Sequence, residues 1–158
     1  MANRSLGDNE RVLMSKLLIV DDETATVDML STYLGLIGHH TVGAFSGEEG
    51  LTTVYNENPD LLILDLMMPD LEGFDVCRRL RESGDYTTLP ILIISARVDQ
   101  QSIDRAMRLG ADSYLTKPID LSRLSAEIKR LLENPPDHSD RVKKVEPKAK
   151  SVDKPVDQ

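Results

Sequence analysis

The sequence predicts an α/β protein: a parallel β-sheet with helices packed on both faces. Three observations carry that prediction. Short apolar runs at Leu17 to Val20, Leu61 to Leu64 and Ile91 to Ile94, with a fourth at Tyr114 to Thr116, have the look of strands buried on both faces of a parallel sheet. Between them lie stretches whose apolar residues fall at helical spacing. Helix-start and helix-stop residues separate the two kinds of segment, so strand and helix alternate, and short connections of this type imply right-handed crossovers.

The elements follow in order. Lys16 opens the first strand. Val27, Leu30, Leu34 and Ile37 then stripe a first helix, with Gly38 standing where a C-terminal glycine belongs. A weaker second strand, His40 to Phe45, leads to Ser46-Gly47-Glu48-Glu49, a capping box that opens a second helix running through about Asn56. Pro59 marks the break before the third strand. After Asp65, residues 67 to 73 read as loop, and Phe74, Val76, Cys77 and Leu80 stripe a third helix. Asp99 caps a fourth, with Ile103, Ala106 and Met107 expected to face inward and Gly110 to end it. Asp120 caps a fifth, whose stripe is Leu121, Leu124, Ile128, Leu131 and Leu132. Residues 16–133 are thus expected to form one domain. Residues 1–15 are expected to be a disordered extension, and 134–158, with Pro135-Pro136 and alternating charges, a disordered tail.

Composition limits the function. A chain of 158 residues with 40% apolar and 29% charged side chains supports one well-buried domain. Residues 1–133 carry a net charge of −9 and the remainder +1, so the acidic body argues against direct binding of nucleic acid, which needs clustered Lys and Arg. The single cysteine, Cys77, excludes an internal disulfide and fits a reducing cytoplasm. No apolar stretch is long enough for a membrane span.

Each apolar run stops on a reactive polar group: Asp21-Asp22, Asp65, Ser95, and Lys117-Pro118. Ligands in parallel α/β sheets bind outside the carboxyl ends of the strands, so these groups are expected to converge there. Three carboxylates on neighbouring strands repel one another unless protons or a cation intervene, and oxygen ligands of this kind suit Mg2+ (or Mn2+). Asp21-Asp22 alone would read equally well as an exposed acidic pair at a helix start. Asp65, after a run as apolar as Leu61 to Leu64, has no such explanation. Lys117 supplies the countercharge and Ser95 a neutral donor, a set suited to a phosphoryl group. Pro118 suggests a turn, with a cis peptide as one form of it.

With those residues in place, the segments LLIVDDE, LLILDLMMPDLEGFDVCRRLR, ILIISA and GADSYLTKP show that the chain from about Lys16 to Glu133 resembles the receiver domain of bacterial two-component response regulators. The spacing agrees throughout: 43 residues from Asp22 to Asp65, 30 more to Ser95 and 22 more to Lys117. The resemblance implies a flavodoxin-like, five-stranded fold of strand order 2-1-3-4-5. It implies that Asp65 accepts a phosphoryl group from a sensor histidine kinase or phosphotransfer protein. Asp22, Asp65 and the Met67 carbonyl would ligate Mg2+, Asp21 acting through a bound water, with Ser95 and Lys117 holding phosphoryl oxygens. Ser95 and Tyr114 would form the switch, and the fourth helix, fifth strand and fifth helix the output surface toward a downstream protein, with a homodimer on activation as one form of output. Tyr114 reads alternatively as a static half-buried aromatic. Met67 and Arg97 sit where the family tunes the lifetime of the phosphorylated state, and Ser95 departs from the commoner Thr. The protein would be a chemotaxis-type single-domain regulator or part of a longer one.

Met68 reads as loop packing, Cys77 as a small core hydrophobe, and His39-His40 as turn residues rather than metal ligands. A dinucleotide enzyme would need a Gly-rich turn where Asp21-Asp22-Glu23 stands, and a haloacid-dehalogenase-like phosphatase a second Asp where Met67 stands. The remaining rival to a phospho-accepting signalling switch is a phosphorylation-independent interaction module on the same scaffold.

Overall fold

The computed structural model describes residues 15–143. Five strands, β1 (Lys16–Val20), β2 (His40–Ala44), β3 (Leu61–Asp65), β4 (Ile91–Ser95) and β5 (Ser113–Thr116), form one sheet in the order β2-β1-β3-β4-β5 with every pairing parallel. Five helices connect them: α1 (Thr24–Leu36), α2 (Gly47–Glu57), α3 (Gly73–Glu82), α4 (Gln100–Arg108) and, after β5, α5 (Leu121–Glu133). This is the doubly wound architecture and strand order expected.

The apolar runs are continuous because both sheet faces are covered. Successive strand residues point to opposite faces. Leu18, Val20, Leu62, Leu64, Ile91 and Ile93 pack with Val54, Phe74, Cys77 and Leu80 beneath α2 and α3. Leu17, Ile19, Leu61, Ile63, Leu92 and Ile94 pack with Leu30, Leu34, Leu124 and Ile128 of α1 and α5. Strand residues 91 to 94 are fully buried.

The caps form where the sequence places them. The Ser46 hydroxyl accepts the Glu49 N–H at 3.1 Å, Asp99 accepts the Ser102 N–H at 2.9 Å and Asp120 the Arg123 N–H at 3.2 Å. Glu49 does not close the box onto Ser46; its carboxylate reaches one residue further, to the Phe45 N–H at 3.0 Å. Gly38 and Gly110 both take the positive φ that ends a helix.

Three expectations need correction. Met107 of α4 is not inward but 38% exposed; the buried line runs through Ser102 and Ala106, and Met107 lies about 100° round the helix from Ala106. His39 is buried between the end of α1 and β2, and His40 is not turn but the first residue of that strand. The segment expected to be disordered from 134 instead continues along the body. It carries a one-turn 3-10 helix, Ser139–Arg141. Residues 1–14 and 144–158 lie outside the described residues.

What holds residues 137–143 is a buried polar network that the apolar pattern concealed. Arg81, 1% exposed, lies on the inward stripe of α3 and donates to the carbonyls of Gly110 (2.9 Å), Tyr86 (2.6 Å) and Leu89 (2.7 Å) and to Asp112 Oδ2 (2.8 Å). Asp112 also accepts the Ile91 N–H at 2.8 Å and meets His138 Nε2 at 2.7 Å through its other oxygen. Arg141 donates to His138 Nδ1 at 3.1 Å and to the Arg108 carbonyl, so His138 Nδ1 carries no proton and Nε2–H is the donor to Asp112. Breaking a buried pair by removing one partner typically costs about 3–5 kcal/mol, because the remaining charge is stranded. Arg81→Ala should therefore lose about 3–5 kcal/mol in urea unfolding; a loss under about 1 kcal/mol would mean Asp112 is rescued by solvent.

His39 Nδ1 is buried without a hydrogen-bond partner among the described residues, and burial holds this imidazole's pKa below its ordinary value. A lowered folded pKa leaves stability intact above the unfolded value of about 6.5 and removes it as pH falls below that. His39→Gln should therefore flatten the decline in Tm between about pH 6.5 and 5; an unchanged decline would remove His39 as its source.

Candidate functional site

Parallel pairing brings every strand's carboxyl end to the same edge of the sheet. Val20 is opposite Leu64, Asp65 opposite Ile94 and Ser95 opposite Thr116, so Asp21, Asp65, Ser95 and Lys117 arrive together at its centre. Oxygens of Asp21, Asp22 and Asp65 lie within 4.8 Å of one another. The expected cluster is therefore one site.

Its members differ in environment. Asp21 is fully buried and already engaged through both oxygens: Oδ1 accepts the Glu23 N–H at 2.9 Å and Oδ2 the Lys117 ammonium at 2.9 Å. Asp65 is 4% exposed; Oδ1 accepts the Met67 N–H at 3.2 Å and Oδ2 the Lys117 ammonium at 3.3 Å. Asp22 is exposed. Lys117 is aimed from a strand end where its own N–H donates to the Ser95 carbonyl at 2.8 Å, and the Lys117–Pro118 bond is cis.

The charges do not balance. Burial, and next the charge of Asp21, push the Asp65 carboxyl up to about 6, with the Met67 N–H and Lys117 only partly opposing. Burial alone would lower the Lys117 ammonium, but Asp21 and Asp65 outweigh it and raise it. Three carboxylates facing one ammonium make a site with negative charge to spare. Hard oxygen donors at this spacing fit Mg2+ or a similar divalent cation.

Ser95 is fully buried, and its hydroxyl accepts the Arg97 N–H at 3.1 Å. The Tyr114 hydroxyl donates to the Arg97 carbonyl at 2.7 Å. The main chain of Arg97 is thus held on one side by Ser95 and on the other by Tyr114, which is half-buried here. Met67, 50% exposed, and Arg97 line a shallow apolar hollow with Pro69 and Phe74 beside Asp65. Met68 points inward, 6% exposed, and burial pushes the Cys77 thiol up to about 12, an unreactive position. A roomier groove of about 900 Å3 lies at the opposite edge of the sheet, lined by Asn58, Asp60, Asp85 and Glu133, and takes no part in this cluster.

Sequence reasoning left Asp70 unassigned within the loop. Its carboxylate accepts the N–H groups of Gly47 and Glu48, both at 3.0 Å, and the Glu48 amide, first among several, holds its pKa low. An Asp in a turn gives no local sign of a partner more than twenty residues away.

Fold and site together define a class, and the family comparison agrees with it: the response regulator receiver domain matches residues 17–129. The chain belongs to that family, the receiver domains of two-component response regulators. It is 38% identical over 117 residues to the alkaline phosphatase synthesis transcriptional regulatory protein PhoP of Bacillus subtilis, covering 74% of this chain and 48% of that protein. It is 37% identical over 119 residues to the DNA-binding dual master transcriptional regulator RpaA of Synechocystis, covering 75% and 49%. Among solved structures, a CheY-like response regulator receiver domain protein from Methanospirillum hungatei superposes with a TM-score of 0.72 at 27% identity, over 76% of this chain and 94% of that one. The chain spans about half the length of the curated relatives it matches. Since RpaA is by name DNA-binding, the expectation of no nucleic-acid partner is not supported: an acidic charge on residues 1–133 describes this body and not proteins twice its length. Among the described residues, no helix is long and apolar enough to cross a membrane.

The raised carboxyl of Asp65 has a stability consequence. A folded pKa raised above the unfolded value favours the native state in acid, and that contribution is lost as pH climbs through about 6. With a chelator present, Asp65→Asn should be more stable than wild type by about 1–3 kcal/mol at pH 7.5 and no more stable at pH 4. Chemical denaturation at the two pH values checks this; equal gains at both would show that charge is not the cause.

Proposed function

We propose that this receiver accepts a phosphoryl group on Asp65 from the phosphohistidine of a sensor histidine kinase or phosphotransfer protein. The observation that carries the reading is the meeting of the Asp21, Asp22 and Asp65 oxygens within 4.8 Å beside a Lys117 ammonium already bonded to Asp65. A carboxylate oxygen of Asp65 attacks phosphorus, the P–N bond breaks with its electron pair going to the donor's imidazole, and an acyl phosphate forms. Lys117 neutralises charge on the transferred group, and the Ser95 hydroxyl turns from the Arg97 N–H to a phosphoryl oxygen.

Asp22, Asp65 and the Met67 carbonyl would hold Mg2+, or Mn2+, which when bound neutralises the carboxylates and orients the incoming phosphoryl. Asp21, with both oxygens already engaged, is suited to act through a bound water. The exposed side chain of Asp22 supports its role as a ligand reached from solvent. Met67 and Arg97, bordering the hollow beside Asp65, tune how readily water reaches the acyl phosphate.

Recruitment of Ser95 loosens the Arg97 main chain, and Tyr114, whose hydroxyl is bonded to that same carbonyl, moves with it. The surface of α4, β5 and α5 then changes for a downstream protein or a second copy. The protein catalyses only its own phosphorylation and dephosphorylation, works in the cytoplasm, and has its receiver in residues 16–133.

The test is incubation with acetyl phosphate and Mg2+ followed by a phosphate-affinity gel. A retarded band is expected for wild type, absent in Asp65→Asn and absent with chelator, and Lys117→Ala should cut the retarded fraction at least tenfold, about 1.4 kcal/mol of lost stabilisation. No retarded band in wild type would leave the phosphorylation-independent module as the function.

A further inference from the structure

The loop of residues 66–72 joins β3 to α3 and carries Met67, whose N–H bonds Asp65 and whose carbonyl is assigned to the metal in the reading above. It is fastened at its ends, by the Met67 N–H on Asp65 at 3.2 Å and the Gly73 N–H on the Leu66 carbonyl at 3.1 Å. Its middle is fastened elsewhere. The Asp70 carboxylate spans the first two amides of α2, Oδ1 taking Gly47 N–H and Oδ2 taking Glu48 N–H, both at 3.0 Å.

Those bonds complete an exacting arrangement. The first four N–H groups of a helix have no partner inside it. In α2 the Gly47 and Glu48 N–H groups are taken by Asp70 and the Glu49 N–H by the Ser46 hydroxyl at 3.1 Å, and the Gly50 N–H then makes the helix's own first bond, to the Ser46 carbonyl at 2.8 Å. Backbone meets backbone as well, since a Cβ on Gly47 would stand 2.4 Å from the Leu71 carbonyl oxygen. Loop and helix start are thus in contact with no side chain between them, and a shift of one is transmitted to the other.

We propose that Asp70 is a positioning residue for the metal and phosphoryl site: by clamping the middle of the loop to the start of α2, it sets the place of the Met67 backbone and through it the orientation of the Asp65 carboxylate. This rests on the function proposed above. Groups behind metal ligands commonly matter about tenfold or more to metal affinity, because a ligand held in place loses less freedom on binding. Asp70 touches neither metal nor phosphoryl group and acts only through the loop.

Two caps on one helix separate this role from simple helix capping. Asp70 and Ser46 both cap α2, but only Asp70 belongs to the loop. Titration calorimetry with MgCl2 at pH 7.5 should show Asp70→Ala weakening Mg2+ binding by about tenfold, with Ser46→Ala within about twofold of wild type although it lowers Tm by a similar amount. Asp70→Asn, which keeps one acceptor oxygen, should restore part of the affinity. Hydrogen exchange of residues 66–71 in chelator should quicken in Asp70→Ala and not in Ser46→Ala. Unchanged Mg2+ affinity in Asp70→Ala, or equal weakening by both alanine variants, would overturn the proposal. Absence of Mg2+ binding by wild type would instead overturn the reading of the site, and the exchange arm would still decide whether Asp70 clamps the loop.

Discussion

Two carboxylates forced together at the centre of a parallel sheet are the constraint on which the rest of this molecule turns. Asp21 follows β1 and Asp65 ends the neighbouring β3 in the same register, so the strand pairing sets their backbones side by side. Lys117, delivered from beyond β5 on the far side of β4, bonds to both and offsets part of the repulsion. The unbalanced charge, with burial, leaves the Asp65 carboxyl pushed up to about 6.

The opposite end of the β4–β5 region shows what a settled polar centre looks like. Arg81 is as deeply buried as Asp21 and Asp65 and its partner Asp112 is partly buried, yet both are fully engaged, with three carbonyls, a strand N–H and His138 among their partners. That network anchors residues 137–143 and ties the ends of α3 and α4 to β4. One centre is satisfied by its partners and the other is crowded with like charge, and the same sheet carries both.

Much of the fold was legible locally. Ser46, Asp99 and Asp120 cap helices because a short polar side chain before an apolar stripe can reach the next turn without help from elsewhere. Leu30, Leu124 and Ile128 are buried because spacing along a helix decides its inward face. Met107 misled because it lies about 100° round α4 from Ala106, off the buried line. Arg81 went unassigned for a different reason: nothing local marks an arginine as buried until the carbonyls that receive it are known.

The sequence by itself determined the alternation of strand and helix, the buried runs and the identity of the polar groups that end them, since each depends on neighbours within a turn or two of chain. Only the tertiary structure decided which strands lie side by side, and so which charges meet: Lys117 with Asp21 across 96 residues, Asp70 with Gly47 across 23, Arg81 with Asp112 across 31. The physical reason is that propensity and periodicity act through local sterics, whereas a hydrogen bond or ion pair between distant residues exists only after the core has fixed the backbone on both sides of it.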